Sequence, residues 1–221
     1  MKQYKLGLVV LLLLVAISSE ALARPRFAQP GKATTLYYYL DQLGTEYDCY
    51  FTVEASWEEG EITKWMEGYK LERLAKKDTV YAELESLSKT VPHFAYTVDG
   101  KNPKIIHVID ARLLNKMDYA LERPLERINF TGTLPDLVKL IGQQGIPISS
   151  EIAIFTSDYR PRDRETKVEV KGEGIKVKEA LTDSITLTGR GRVLWVARTK
   201  LAPSATTFIE FFGAAPKSGV N

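Results

Sequence analysis

The sequence carries one pattern twice, and the second copy begins 97 residues after the first. Seven residue pairs are identical at this constant offset, and the hydrophobic period changes between helix and strand at matching places. The pairs are Leu40/Leu137, Leu43/Leu140, Glu54/Glu151, Lys70/Lys167, Glu72/Glu169, Val80/Val177 and Leu84/Leu181. A repeat of this length restricts the fold to two copies of one small supersecondary unit.

Each copy predicts two amphipathic helices. In the first copy the helix follows Thr34 or Thr35, and in the second it follows Thr133, whose spacing to Asp136 is typical of a capping box. A later helix in each copy has its own apolar stripe. The apolar faces are Leu36, Tyr39, Leu40, Leu43 and Tyr47; Leu134, Leu137, Val138 and Ile141; Val80, Leu84 and Leu87; and Val177, Leu181 and Ile185.

Short extended segments lie between and after these helices. The first copy predicts strands at 49–53 and 69–74, then a hairpin of 94–98 and 105–110 around Asp99 and Gly100, both of which tolerate positive φ. The second copy predicts strands at 127–130, 146–154, 167–170 and 193–197. The aromatic segment 206–212 is either a docking peptide or a closing strand, and the repeat favours the strand.

The resulting prediction is an α+β protein of two tandem small β-α-β-β-α-β type modules, each with two helices packed on one face of a small sheet. The first module spans 24–112 and the second spans 127–213, with a linker at 113–126 and a disordered tail at 214–221.

The N-terminus predicts export. Lys2 and Lys5 precede twelve apolar residues, and small residues then lead to a cleavage site between Ala23 and Arg24. A membrane anchor is the alternative, but a spanning helix needs about 20 apolar residues. We therefore expect a signal peptide at 1–23, a periplasmic or secreted product, and no stable membrane insertion after cleavage.

Charge and cysteine content limit the possible partners. The net charge is +2, and removing the two lysines and one glutamate of residues 1–23 lowers it to +1, so nucleic acid is not an expected partner. Cys49 is the only cysteine, which excludes an intramolecular disulfide. A buried thiol is the favoured interpretation of Cys49, and a disulfide between chains is the alternative.

Four stretches resemble the short N-terminal domain of secretins and TonB receptors. They are TLYYYLDQLGTEYDCYFTVE, KDTVYAELESLSKTVPHFAYTVDG, INFTGTLPDLVKLIGQQGIPIS and VEVKGEGIKVKEALTDSITLTGRGRVLWV. The pattern to which these stretches belong covers nearly the whole chain after residue 23. The resemblance implies a periplasmic module that docks other proteins.

No catalytic, metal or cofactor site is predicted. His93 and His107 are the only histidines, and no acidic residue or cysteine lies at metal-ligand spacing beside them. No nucleophile motif surrounds Ser149, Ser150 or Cys49. We therefore expect a protein that is not an enzyme and needs no cofactor.

Candidate partner-binding residues lie in one helix and two loops. Tyr37, Tyr38 and Tyr39 cannot all face the core, so Tyr38 is expected to be exposed. The loop residues are Trp57 and Trp65 in the first copy, and Arg160, Arg162 and Arg164 in the second. The arginines either contact an acidic surface or belong to a solvated loop.

These features favour an adaptor that binds another envelope protein or a second copy of itself, for secretion, uptake or signalling. Strand addition at the unpaired edges of small sheets is the expected mode. The alternative is a small-ligand or cell-wall glycan binding protein, with the tryptophans and the arginine loop lining a groove between the modules.

Overall fold

The computed structural model describes residues 35–57, 71, 76–116, 118–149, 167–187, 191–200, 206–211 and 215–216. The helices of these ranges are α1 (Leu36–Tyr47), α2 (Val80–Thr90), α3 (Ala111–Leu114), α4 (Leu134–Gln143) and α5 (Val177–Asp183), with a 3-10 turn at Ala120–Glu122. None of these helices has the length and apolar character needed to cross a membrane.

The strands of the described ranges are β1 (Tyr50–Trp57), β2 (Phe94–Val98), β3 (Ile105–Asp110), β4 (Arg127–Gly132), β5 (Ile148–Ser149), β6 (Val168–Glu173), β7 (Ile185–Thr186), β8 (Val193–Lys200), β9 (Thr207–Phe211) and β10 (Ala215–Pro216). The mixed α+β class is thus confirmed. Six strands form the main sheet in the order β2-β3-β1-β8-β9-β5, whereas β4 pairs with β6 and β7 pairs with β10 in separate two-stranded sheets.

The strands of both halves of the chain share the main sheet. β1 pairs in parallel with β3 on one side and with β8 on the other, and its pairing with β8 runs from Phe51 opposite Val193 to Trp57 opposite Lys200. The sequence predicts one small sheet for each module, but the edge of β1 is completed by β8 instead of being left to solvent. We call this β1·β8 pairing the seam.

Helices cover both faces of the main sheet. Side chains alternate between faces along a strand, and Phe51 and Val53 join the cluster formed by α1 and α2. Trp195 and Ala197 join the cluster that contains the buried residues of α4 and α5. α1 and α2 therefore lie on one face of the sheet, and α4 and α5 lie on the other.

The predicted helix starts and buried positions are confirmed for α1 and α4. The Thr35 side chain accepts a hydrogen bond from the Tyr38 amide, and Thr133 and Asp136 form the reciprocal capping box. Leu36, Tyr39, Leu40 and Leu43 are buried in α1, as are Leu134, Leu137, Val138 and Ile141 in α4. Only Ile185 leaves its predicted helix, because α5 ends at Asp183 and Ile185 lies in β7.

The first hairpin has the predicted strands but a different turn. β2 and β3 are antiparallel with Phe94 opposite Asp110. The connection covers residues 99–104, and neither Asp99 nor Gly100 has a positive φ. The Asp99 carboxylate accepts hydrogen bonds from the amides of Lys101 and Asn102, so a side chain holds this turn and the positive φ that both residues tolerate is not used.

The C-terminal aromatic segment forms a strand of the sheet. β9 is antiparallel to β8, and Ile209 and Phe211 are buried. The strand interpretation of this segment is therefore confirmed. Ala215 and Pro216, which lie in the predicted disordered tail, pair with β7.

The segment 113–126, predicted as a linker, packs into the core. Leu113, Tyr119, Leu121 and Leu125 are each at most 2% exposed. Its neighbours come from both halves of the chain, since the Leu125 amide donates to the Ile175 carbonyl and the Tyr119 hydroxyl donates to Glu54 on β1.

His93, between α2 and β2, has the left-handed conformation with a φ of 60°. An L-residue with a Cβ is disfavoured there, and glycine is not. We predict that His93→Gly raises the free energy of unfolding by roughly 0.5–1 kcal/mol in denaturant titration. His93→Ala is the matched control because it keeps the Cβ, and an equal gain from both variants would contradict backbone strain at this position.

Candidate protein-docking site

The open edge of the main sheet is β2. Among the described strands it pairs only with β3. The Asp99 amide donates to the Ile105 carbonyl at 2.9 Å, so the main-chain groups of Asp99 point toward the neighbouring strand. Because hydrogen-bonded pairs alternate with non-hydrogen-bonded pairs along an antiparallel ladder, Thr97 also bonds inward, whereas Tyr96 and Val98 direct their main-chain N–H and C=O groups away from β3.

Exposed apolar side chains lie beside this edge. Val98 is 40% exposed, and Tyr81 of α2 is 44% exposed. The Tyr81 and Tyr96 rings are stacked with centroids 6.5 Å apart, and the Phe94 ring lies 6.4 Å from that of Tyr96. We call β2 with Tyr81 the docking edge; it combines the main-chain groups of Tyr96 and Val98, which point away from β3, with aromatic surface.

The docking edge lacks the features that usually protect an edge strand. Such strands are commonly very short or carry lysine or proline, and the five residues of β2, Phe-Ala-Tyr-Thr-Val, include neither. β2 therefore has no sequence feature that would block the addition of another strand.

A buried histidine fixes the loop that follows β2. His107 Nε2 lies 3.1 Å from Asp99 Oδ2, and His107 Nδ1 lies 2.7 Å from Thr52 Oγ1. A carboxylate can only accept, so Nε2 carries the proton and the Thr52 hydroxyl donates to Nδ1. Burial lowers the pKa of His107 although Asp99 opposes this effect. The docking edge is thus anchored to the sheet centre by a neutral imidazole.

The predicted partner-binding residues are only partly described. Tyr38 is exposed as expected, at 61%, and its ring makes an edge contact with that of Tyr37. Trp57 is half-buried at the end of β1, with Lys200 Nζ 5.4 Å from its ring centroid. Trp65, Arg160, Arg162, Arg164 and the cleavage site at Ala23 and Arg24 lie outside the described residues.

These predicted residues do not coincide with the docking edge. Tyr38 lies on α1, which packs over β1 and β8, whereas α2 packs beside β2. The sequence identified β2 as a strand and strand addition as a mode, but not which strand is open. Two sequence features could have identified the open strand: residues 94–98 contain neither lysine nor proline, and the preceding helix carries a tyrosine at position 81.

Other polar groups are enclosed in the core. Ser56 Oγ lies 2.5 Å from Asp110 Oδ2, which also pairs with Arg112. Cys49 is buried as favoured from the sequence, and burial raises the pKa of its thiol to about 11. The described residues contain no group of three His, Cys, Asp or Glu side chains that could hold a metal ion.

The described surface has a shallow depression in its second half. It is formed by the β4–β6 ribbon and is lined by Arg127, Ile128, Asn129, Lys171, Gly172 and Glu173. Trp57 does not line it.

Comparisons with protein-family models, with curated proteins and with solved structures find no match to this chain.

Glu54 is a buried carboxyl group on β1, between β3 and β8. It is 1% exposed, and the Tyr119 hydroxyl donates to its Oε2 at 2.6 Å. Burial raises the pKa of Glu54 to about 7, while Tyr119 and Lys178 act in the opposite direction. Below about pH 4.5 the protonated Glu54 carboxyl makes its full contribution to the stability of the folded state. This contribution is lost as the pH rises to about 7.

We predict that Glu54→Gln, relative to the native protein, gains stability between pH 4.5 and pH 7.5 by on the order of 1–3 kcal/mol. The amide cannot ionise and keeps an oxygen for Tyr119. Urea unfolding at several pH values measures the difference. Tyr119→Phe is the control, since it retains the carboxyl and should lose stability while keeping the pH dependence; parallel curves for Glu54→Gln and the native protein would contradict the assignment.

Proposed function

We propose that this chain is an exported, non-enzymatic docking module that binds an extended segment of a partner protein along the docking edge. The observation that carries the proposal is the outward direction of the main-chain groups of Tyr96 and Val98 beside exposed aromatic surface. Strand addition needs both components, since main-chain hydrogen bonds give affinity and side-chain contacts give selectivity.

The energetics of this edge suit reversible binding. Each net hydrogen bond contributes about 0.5–1.5 kcal/mol, and Tyr96 and Val98 together offer four main-chain groups. Burial of Tyr81, Tyr96 and Val98 adds apolar contact at low conformational cost, because these side chains have few rotatable bonds. The docking edge is therefore suited to a short extended segment with apolar side chains.

The setting of this activity comes from the sequence. The signal peptide expected at 1–23 would deliver the chain to the periplasm or outside the cell. The resemblance to the short N-terminal domain of secretins and TonB receptors supports a role in envelope secretion, uptake or signalling. In the main sheet the first half contributes its strands in the order β2-β3-β1 and the second half in the order β8-β9-β5. Strands that are equivalent under the 97-residue repeat take the same place in each half, which supports two tandem modules.

We predict that a photo-crosslinking residue in place of Tyr81 gives a protein adduct in the envelope of the exporting cell. The same residue in place of exposed Lys139, on α4, should give none. Adducts would be resolved by electrophoresis and identified by mass spectrometry.

The second arm removes one outward main-chain donor. Val98→Pro deletes an N–H that faces away from β3 and leaves the β2–β3 ladder intact, which is the position at which edge strands tolerate proline. Adducts from position 81 should then disappear, whereas Val98→Thr, which keeps the N–H, should retain them. Equal adducts in both variants, or none at position 81 in any background, would contradict docking at β2.

A further inference from the structure

The outward main-chain groups of the docking edge match those of a second copy of the same strand. Thr97 and Asp99 bond toward β3, whereas Tyr96 and Val98 direct their N–H and C=O groups away from it. The two outward residues thus lie symmetrically on either side of Thr97. Two antiparallel β2 strands related by a two-fold axis beside Thr97 place Tyr96 of each copy opposite Val98 of the other. Each of these pairs exchanges both N–H···O=C bonds, so every outward group of the two residues is used.

The residues that this pairing needs are all described, since it involves only Tyr96, Thr97 and Val98. No described residue donates to or accepts from the outward main-chain groups of Tyr96 and Val98. Thr97 and Val98 have exposed side chains, and Tyr96 is half-buried. Within the described ranges, this part of β2 is therefore free to pair with a strand of another molecule.

The side chains on the helix-covered face also fit a second copy. Phe94 and Tyr96 pack with the cluster formed by α1 and α2, so alternation places Val98 on the same face. The pairing sets Tyr96 of one copy directly against Val98 of the other, and aromatic residues opposite β-branched ones stabilise antiparallel sheets. Tyr81, which stacks on Tyr96, extends this contact on both sides of the axis. Exposed apolar surface of one copy is thereby covered by the same surface of the other.

The opposite face of the strand adds a contact of Thr97 with itself. Thr97 lies at the axis, where it forms a non-hydrogen-bonded pair with Cα atoms about 4.5 Å apart. Threonine opposite threonine is a favourable cross-strand combination. β2 contains no charged residue, so the axis brings no like charges opposite each other along the strand. Any extended segment can satisfy the main-chain groups, but a second copy also supplies these side-chain pairs.

We infer that the docking edge is occupied by β2 of a second copy of this chain, antiparallel and in the register that places Thr97 opposite Thr97. This inference rests on the proposed function and names its partner. The contact is isologous, because both copies offer the same surface, and it closes on a pair. Since it combines a few main-chain hydrogen bonds with a small apolar contact, the dimer should be weak, with a dissociation constant on the order of 10–100 μM.

Cysteine pairing tests the partner and the register together. Thr97→Cys places two thiols at the axis within disulfide range, so mild oxidation should give a covalent dimer. Val98→Cys is the register control, because its two copies are diagonal neighbours with Cα atoms about 7–8 Å apart, beyond that range. Thr131→Cys, at an exposed threonine of β4, measures random collision. We expect the Thr97→Cys dimer to exceed both controls at least tenfold, and the native chain, whose Cys49 is buried, to give none.

Sedimentation velocity tests the pairing without new cysteines. The weight-average sedimentation coefficient of the native protein should rise with concentration and level off at the value of a dimer. Val98→Pro removes one outward donor from each copy, so the symmetry doubles the loss and the association should weaken roughly tenfold or more. Val98→Thr keeps the N–H and should pair as the native protein does. Near-ultraviolet circular dichroism establishes that both variants are folded.

The outcomes separate this inference from the proposed function. A dominant Val98→Cys disulfide would indicate another register, and growth beyond a dimer would indicate a contact that does not close; either result would overturn the inference. Absence of the Thr97→Cys disulfide, or a native protein that stays monomeric, would overturn it as well. Adducts of position 81 with a different protein would then leave docking at β2 intact, whereas absence of any adduct would overturn both. An adduct of twice the mass of the chain supports the dimer.

Discussion

The parallel pairing of β1 with β8 is the interaction on which the rest of this structure depends. It converts two three-stranded sets into one six-stranded sheet and buries β1 from Tyr50 to Ser56. Parallel strands that are distant in the chain are joined by connections that cross the faces of the sheet. The helices of both halves lie in these connections and therefore cover the sheet. A chain of this size without disulfides gains from such sharing, because two isolated small cores would each bury less surface.

The seam also explains the polar residues enclosed beside it. Thr52, Glu54 and Ser56 alternate with apolar residues along β1, a pattern that usually means one solvated face. Here that face is covered, and each polar group has a partner: His107 for Thr52, Tyr119 for Glu54, and the carboxylate at the end of β3 for Ser56. Burial of unpartnered groups would be costly, so these hydrogen bonds specify the register of the central strands.

The pairing of β1 with β8 also decides which strands lie at the ends of the sheet. Among the described strands of the main sheet, β2 pairs only with β3 and therefore lies at an end of the sheet. Sequence reasoning selected the exposed Tyr38 from helical crowding, which is a local property. It did not select Tyr96 or Val98, because the exposure of an edge strand depends on which other strand lies next to it.

Local sequence alone determined the elements. The caps at Thr35 and Thr133, the apolar stripes of α1 and α4, and the strands β2 and β3 follow from signals in neighbouring residues, whereas β9 is favoured by comparison with the first copy of the repeat. Only the tertiary structure decided that β1 pairs with β8, that Leu113, Tyr119, Leu121 and Leu125 are buried, and that β4 and β6 leave the main sheet. The reason is physical: strand pairing and burial depend on groups that are distant in the sequence, and a single strand's pattern is the same whether its polar face meets water or Tyr119.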